Sequence, residues 1–93
     1  MSTFATKRFP LGKLRITPGG QQRLSEDDVF RGLVRHMAGD WGELDEHDRQ
    51  QNKAALADGL RLLSQYTAAS GCVFWIITEH DRSVTTILLP EEY

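Results

Sequence analysis

The sequence predicts a small α+β domain, in which two helices pack on one face of an antiparallel sheet in the order β-α-α-β-β-β. Three observations predict this class. Ninety-three residues suffice for one hydrophobic core but not for two. An amphipathic stretch in the first half is bounded by helix-capping residues. The last third changes to short runs rich in β-branched and aromatic residues, which are typical of strands.

The N-terminal part is predicted to contain an arm, an edge strand and a short helix. Residues 1–8 are expected to form a flexible basic arm, and residues 9–93 the single folded domain. In LGKLRIT (residues 11–17), aliphatic residues alternate with Lys, Arg and Thr, the pattern of a half-exposed edge strand. Thr17 and Pro18 then signal a helix start, and the two glycines after them limit that helix to about one turn.

Two longer helices are predicted in the middle of the chain. The segment SEDDVFRGLVRHMAGD begins with Ser25 and Asp28, which form an S-x-x-D capping box, and its apolar residues make one broad helical stripe that Gly39 is expected to end. The second helix is expected from about Glu46 to Asp58, with Asp45 as its N-cap and Gly59 as its end. Its first half is polar and its second half is rich in alanine, so only the second half can pack well.

Three strands are predicted to complete the domain. The runs LRLLSQYT, CVFWIITE and VTTILLP are separated by the short connections AASG and HDRS. Such short connections join antiparallel neighbours. Because CVFWIITE is apolar on both faces, we expect it at the centre of the sheet, covered by helices on one side.

Composition and charge restrict the class of function. No apolar run approaches the ~18 residues that a membrane span requires, and the single Cys72 cannot form an internal disulfide, so we expect a cytoplasmic protein without membrane contact. Five basic residues and no acid precede Glu26, whereas the rest of the chain has thirteen acidic residues against six Lys or Arg. The first segment can touch polyanions, but the overall balance disfavours a nucleic-acid-binding protein.

The segment GDWGELDEHDRQQN (residues 39–52) is the main candidate for a site. Its carboxylates lack the D-x-D-x-D-G spacing of a calcium loop, so no metal is predicted. In one interpretation Trp41 folds under the helices as a plug of the core, while Asp40 pairs locally. In the other, a partly exposed Trp41 framed by acids is a hot spot for a basic protein partner. The two overlap, because a plug can leave one ring edge exposed.

A catalytic alternative involves His36, Arg82 and Thr86. Small RNase toxins often pack a helix on an antiparallel sheet, and use histidine for acid–base work and arginine to stabilise charge at the scissile phosphate. The simpler expectation is a hydrogen-bonded His36 on a helix flank, and an Arg82 that is either solvated or paired with Asp81 or Glu79. The sequence has no zinc-site spacing and no phosphate-binding glycine loop, so no cofactor is predicted. We therefore expect a non-enzymatic protein, with a metal-independent RNase as the alternative.

The chain from Arg35 to Tyr93 resembles a family of small bacterial proteins found on plasmids, phages and integrated islands. The shared pattern is G-D-W-G-x-L-D-x-x-D, an asparagine, R-x-L-S-x-Y and W-I-I-T-E-x-D-R-S-x-T-T-x-L-L-P-x-x-Y. Members are often labelled plasmid-related, or type I restriction subunit M. The second label does not fit, because a methyltransferase needs a cofactor domain and an N-P-P-[YF] loop. The resemblance implies a mobile genetic element as habitat, and no mechanism.

Together these observations predict an accessory protein of a mobile element that acts by binding a protein partner. Inhibition of a host defence system, by anti-restriction or anti-CRISPR action, is a specific form of that function. Asn52 is expected to hydrogen-bond the loop before its helix. The candidate binding residues are Asp40, Trp41, Glu43, Asp45, Asn52 and Arg82.

Overall fold

The computed structural model describes residues 7–93 and confirms the predicted α+β class and the β-α-α-β-β-β order. A short additional helix follows the cap at Thr17, as expected. None of the helices in these residues has the length and apolarity that crossing a bilayer requires. The elements are β1 (Lys13–Ile16), α1 (Pro18–Arg23), α2 (Glu26–Met37), α3 (Glu46–Asp58), β2 (Leu62–Thr67), β3 (Val73–Thr78), β4 (Val84–Leu88) and a final 3-10 turn (Pro90–Glu92).

The helix boundaries follow from local capping. Ser25 Oγ accepts from the backbone N–H of Asp28, whose carboxylate accepts in return from the Ser25 N–H. Asp45 caps α3 by accepting from the Asp48 N–H. Gly59 ends α3 in the left-handed conformation. These positions match the sequence-based expectation, because each depends only on residues within one helical turn.

The four strands form one sheet in the order β1-β4-β3-β2. The pairs β2–β3 and β3–β4 are antiparallel, as their short connections require. β1 runs parallel to β4, so the sheet is mixed rather than wholly antiparallel. The parallel pair is possible because the helices and the β2–β3 hairpin lie between β1 and β4 in the chain, which gives a crossover long enough to return in the same direction.

The helices cover one face of the sheet and bury two adjoining clusters. One cluster centres on Tyr66, Phe74 and Ile76 beneath α2. The other contains Phe9 and Trp41, together with residues of α3 and β2. The last residues of the predicted arm are not loose, since Arg8 donates from its backbone N–H to Met37 O (2.8 Å) and from Nε to Ala38 O (2.9 Å). Residues 1–6 of that arm lie outside the described residues.

The opposite face of the sheet, which we name the outer face, lies away from α2 and α3. Its central residues are Trp75 and Ile77 of β3 and Thr86 of β4, which the register places side by side. Tyr93 lies on this face, with its ring centroid 5.6 Å from that of Trp75 and its hydroxyl accepting from Arg61 Nη1 at 2.8 Å. A small aromatic cap therefore covers part of the outer face.

The loop after α2 closes the β2 edge of the sheet. Gln65 N donates to Trp41 O (3.2 Å), and Glu43 N donates to Gln65 O (2.8 Å), so the loop pairs with β2 like a minimal fifth strand. Gly42 lies between these bonds with φ +76°, and a Cβ there would collide with the Gln65 carbonyl oxygen and the Tyr66 ring. Edge strands are the sites where sheets recruit other chains, and here that risk is removed.

We expect Gly42→Ala to lower the free energy of unfolding by about 3 kcal/mol or more, because it combines a positive φ with a backbone collision. Gly59→Ala is the matched control, with φ +70° but no atom within 4 Å of the new Cβ. It should cost only about 1 kcal/mol. Urea unfolding of both variants measures the difference. Equal losses of unfolding free energy would show that the loop moves away from Gln65 at no energetic cost.

Candidate functional site

Trp41 is a core residue, and the interpretation of its ring as an exposed hot spot is wrong. Its side chain is 7% exposed. The indole stacks on Phe9, with ring centroids 6.3 Å apart, and meets the edge of His36 at 5.6 Å. Because the flanking loop pairs with β2, the ring is turned inward beneath the helices. The structure therefore has the plug arrangement at this position.

Asp40 supports the plug from the surface. Its carboxylate accepts from Arg35 Nε at 2.7 Å and from the Gly42 N–H at 3.1 Å. The hydrogen bond from the Arg35 guanidinium is the main reason that the pKa of Asp40 lies below its usual range. The Tyr66 hydroxyl donates to the backbone oxygen of Asp40 at 2.5 Å. Asp40 thus pairs locally, as the plug interpretation expects.

Asn52 connects α3 to β2, not to the preceding loop as the sequence suggested. Its Nδ2 donates to Leu63 O at 2.5 Å, and its Oδ1 accepts from Leu63 N at 3.1 Å. The side chain is 5% exposed, so this pair of bonds satisfies a buried amide. The expectation failed because the preceding loop pairs with the backbone of Gln65, whereas the α3 face turns toward Leu63.

The exposed acids near the start of α3 have local roles in the described chain. Glu43 accepts from Thr67 Oγ1 at 2.8 Å, which fastens the loop to β2. Ligand atoms of Asp45, His47 and Asp48 lie within 4.8 Å of one another. However, Asp45 Oδ1 already caps α3, and first-turn carboxylates are the usual partners of free helix N–H groups. Capping accounts for this cluster.

His36 is fully buried at the centre of a hydrogen-bond chain. Its Nδ1 lies 2.5 Å from Ser64 Oγ, and its Nε2 lies 2.8 Å from Thr78 Oγ1. Thr78 Oγ1 lies 2.7 Å from Thr85 Oγ1, which donates to Leu11 O at 2.6 Å. This series of hydrogen bonds joins α2, three strands and the segment that leads into β1. We name these four side chains and the Leu11 carbonyl the histidine chain.

The donors of the histidine chain fix its direction. Each hydroxyl has one hydrogen, and the Thr85 hydrogen is given to Leu11 O. Thr78 must therefore donate to Thr85, so it accepts from His36 Nε2–H. Nδ1 is left as the acceptor for Ser64. Burial, with a smaller contribution from the Arg82 charge, lowers the pKa of the His36 imidazole to about 3, so the ring is neutral.

Arg82 holds the β3–β4 hairpin against the end of α3. Its Nη1 donates to Leu60 O at 2.6 Å and to Glu79 O at 3.1 Å, and its Nη2 donates to Ala55 O at 3.1 Å. Arg82 is the single non-glycine residue of the described chain with positive φ, at 62°. This conformation is costly for a side chain with Cβ, so the three carbonyl contacts must offset it.

The proposed RNase residues do not form a site. His36 has no exposed surface, and its two nitrogens are occupied by Ser64 and Thr78. The Arg82 guanidinium is engaged by backbone carbonyls, and Thr86 lies on the outer face, across the sheet from His36. A scissile phosphate needs all three groups at one accessible point. The catalytic alternative therefore has no structural support.

The free edge of β1 is the accessible feature that the sequence did not single out. Lys13 N donates to Ser83 O (2.9 Å) and Thr17 N donates to Ile87 O (3.0 Å), so these amides point toward β4. Amides alternate along a strand, which directs the N–H and C=O groups of Leu14 and Ile16 to the side where residues 7–93 place no strand. Their side chains are 51% and 38% exposed.

An apolar groove continues from this edge on the helix side of the sheet. Ile16, Leu24, Val29 and Leu33 line it, and its volume is about 440 Å³. The β1 register places Leu14 beside Thr85 and Ile16 beside Ile87, so both exposed side chains face the same side as the groove. The sequence predicted an edge strand with these faces, but not that the described residues would cover the other sheet edge and leave this one unpaired.

A scan of protein-family models, and searches of curated proteins and of solved structures, found no match to this chain. The geometry divides the predicted binding residues into two groups. Trp41, Asn52 and Arg82 hold the domain together, whereas Asp40, Glu43 and Asp45 are surface residues with local partners. The free edge of β1 remains as the candidate site.

The neutral state of His36 predicts a loss of stability on acidification. The unfolded chain binds a proton near pH 6.5, whereas folded His36 binds it only near pH 3, so the free energy of unfolding falls as pH falls through this interval. The slope is up to about 1.4 kcal/mol per pH unit. Urea midpoints measured from pH 6.5 down to about pH 5, above the range of most carboxylates, test it. His36→Gln should flatten the dependence, and an unchanged slope in that variant would exclude His36 as its source.

Arg82 is expected to contribute about 2 kcal/mol through its charged hydrogen bonds. Arg82→Ala removes the bonds and keeps Cβ in the left-handed conformation. Arg82→Gly removes the same bonds but relieves the positive φ, so it should be about 1 kcal/mol less damaging. Thermal and urea unfolding give the comparison. A glycine variant less stable than the alanine variant would mean that φ at this turn carries no cost.

Proposed function

We propose that this chain is a protein-binding module that acts by accepting a strand of its partner at β1. The observation that carries the proposal is the contrast between the two sheet edges. The β2 edge is closed by the Trp41–Glu43 loop. No strand of residues 7–93 pairs with the other side of β1, which presents backbone groups beside two exposed aliphatic side chains. Addition of a strand to an exposed sheet edge is a common mode of recognition, in which main-chain hydrogen bonds supply affinity.

The geometry favours binding over catalysis in this proposal. β1 is only four residues long and carries Lys13 and Arg15, features that disfavour unspecific pairing at a sheet edge. Its outward backbone groups and two large exposed aliphatic side chains still suit a strand that matches them. Leu14 and Ile16 gain burial when a strand is added, at about 25 cal/mol per Å² of apolar surface removed from water. The groove lined by Val29 and Leu33 extends the surface that one added strand can cover.

The resemblance to proteins of plasmids, phages and islands supports an accessory role in a bacterial mobile element. In this proposal the module works in the cytoplasm, and the first partner class to test is a host defence complex, of the restriction or CRISPR type. Its function there is occupation of a binding surface. Because Trp41 is buried, we place the proposed contact at β1, the sheet edge opposite the one that carries the acidic loop.

The test uses a proline at Leu14. The Leu14 N–H points away from β4, so Leu14→Pro removes a donor needed by an incoming strand without removing a β1–β4 hydrogen bond. Leu14→Val keeps the N–H and is the matched control. Tagged wild type and both variants are used as bait in nuclease-treated host lysate. We expect one discrete protein to be retained by wild type and Leu14→Val and lost with Leu14→Pro.

Far-UV circular dichroism and thermal unfolding establish that Leu14→Pro is folded before the comparison is made. Retention of the same protein by all three baits contradicts strand addition at β1. Retention of nucleic acid alone in untreated lysate, with no protein partner, contradicts the protein-binding function itself.

A further inference from the structure

The charges around the free edge specify the chemistry of the segment that it accepts. Resting on the proposed function, we infer that the strand added at β1 alternates acidic and apolar residues. Its apolar side chains lie beside Leu14 and Ile16 on the helix side, and its acidic side chains lie beside Lys13 and Arg15 on the outer face. The side-chain period of two in a strand produces this separation.

The apolar residues of the inferred strand follow from the apolar surface on the helix side of β1. Leu14 and Ile16 are the exposed residues of β1 on that side. The groove next to them is mainly apolar, with Leu24, Val29 and Leu33 in its lining, and it also contains the polar Gln21 and the acidic Glu26. Adjacent strands lie about 4.8 Å apart, so side chains of an added strand on this face contact both residues directly. Acidic side chains at those positions would be desolvated beside a groove whose lining, within residues 7–93, contains Glu26 and no cation.

The acidic residues of the inferred strand follow from the charges of β1 on the outer face of the sheet. The β1 register places Lys13 beside Val84 and Arg15 beside Thr86, both on the outer face. Both cations are exposed, and neither makes an ion pair with any of residues 7–93. The acid that alternation places on this face of β2–β4 is Glu79, which is already paired with Arg61 at 3.3 Å. Two unpaired cations two residues apart match acids at the same spacing on an added strand.

The same charges argue against a second copy of this chain as the occupant. Antiparallel pairing of two β1 strands about Leu14 sets Lys13 opposite Arg15 of the other copy. Pairing about Arg15 sets that residue opposite itself. Like charges directly opposite in a sheet are destabilising, so β1 repels its own copy and attracts an acidic strand.

The experiment titrates the isolated ¹⁵N-labelled chain with two synthetic peptides of about eight residues, a usual strand length. One alternates glutamate and valine, and the other alternates lysine and valine. We expect the glutamate peptide to bind, to shift and protect the amides of Leu14 and Ile16, and to weaken with added salt. The Lys13→Glu/Arg15→Glu double variant should lose about tenfold in affinity for it and bind the lysine peptide instead.

Four results would overturn the inference. They are equal binding of both peptides, binding that leaves the Leu14 and Ile16 amides unshifted, a β1-dependent dimer that excludes the peptide, and an oligothymidylate that binds Lys13 and Arg15 more tightly than the glutamate peptide does. The proline test separates these failures from the proposed function. If the lysate partner is still lost with Leu14→Pro, strand addition stands and only the acidic chemistry is wrong. If the partner is kept, strand addition itself fails.

Discussion

The packing of both layers depends on one buried hydrogen-bond chain through a neutral histidine. His36 on α2 reaches β2 through Ser64 and reaches β3 and β4 through Thr78 and Thr85, and the last hydroxyl binds the Leu11 carbonyl before β1. A buried polar group without a partner costs about 1–3 kcal/mol. A shift of α2 or of one strand would break several of these bonds together, so the chain fixes one arrangement of helix and sheet where apolar packing alone would tolerate several.

The aromatic plug and the histidine chain stabilise each other. Trp41 and Phe9 both meet the imidazole edge-on and exclude water from it, which keeps the ring neutral. Conversely, the His36 imidazole forms part of the surface against which the Trp41 indole packs. The loop can then reach β2 with its backbone, and its carboxylates point outward or cap helix ends. The acidic appearance of this segment is therefore a consequence of its position at a helix start beside a sheet edge.

Local features of the fold were predictable, whereas the roles of the conspicuous residues were not. Ser25, Asp45 and Gly59 act within one turn of chain, so capping rules located the helices. The exposure of Trp41 depends on the pairing of its loop with β2, a contact across 24 residues that no local pattern encodes. The partners of Asn52 and the parallel direction of β1 are likewise decided by how the layers meet. The histidine chain needs His36 and three hydroxyl residues to converge from four elements, which sequence spacing cannot show.

The unequal edges of the sheet also limit what kind of assembly this protein can form. A strand added at β1 would extend one edge of the sheet. The other edge, at β2, lies three strands away and is covered by the Trp41–Glu43 loop. Residues 7–93 therefore leave no second sheet edge for further addition. Bound to the sheet edge of another protein, the domain would cap that edge in a one-to-one complex. The capped edge would then be unavailable for polymerisation.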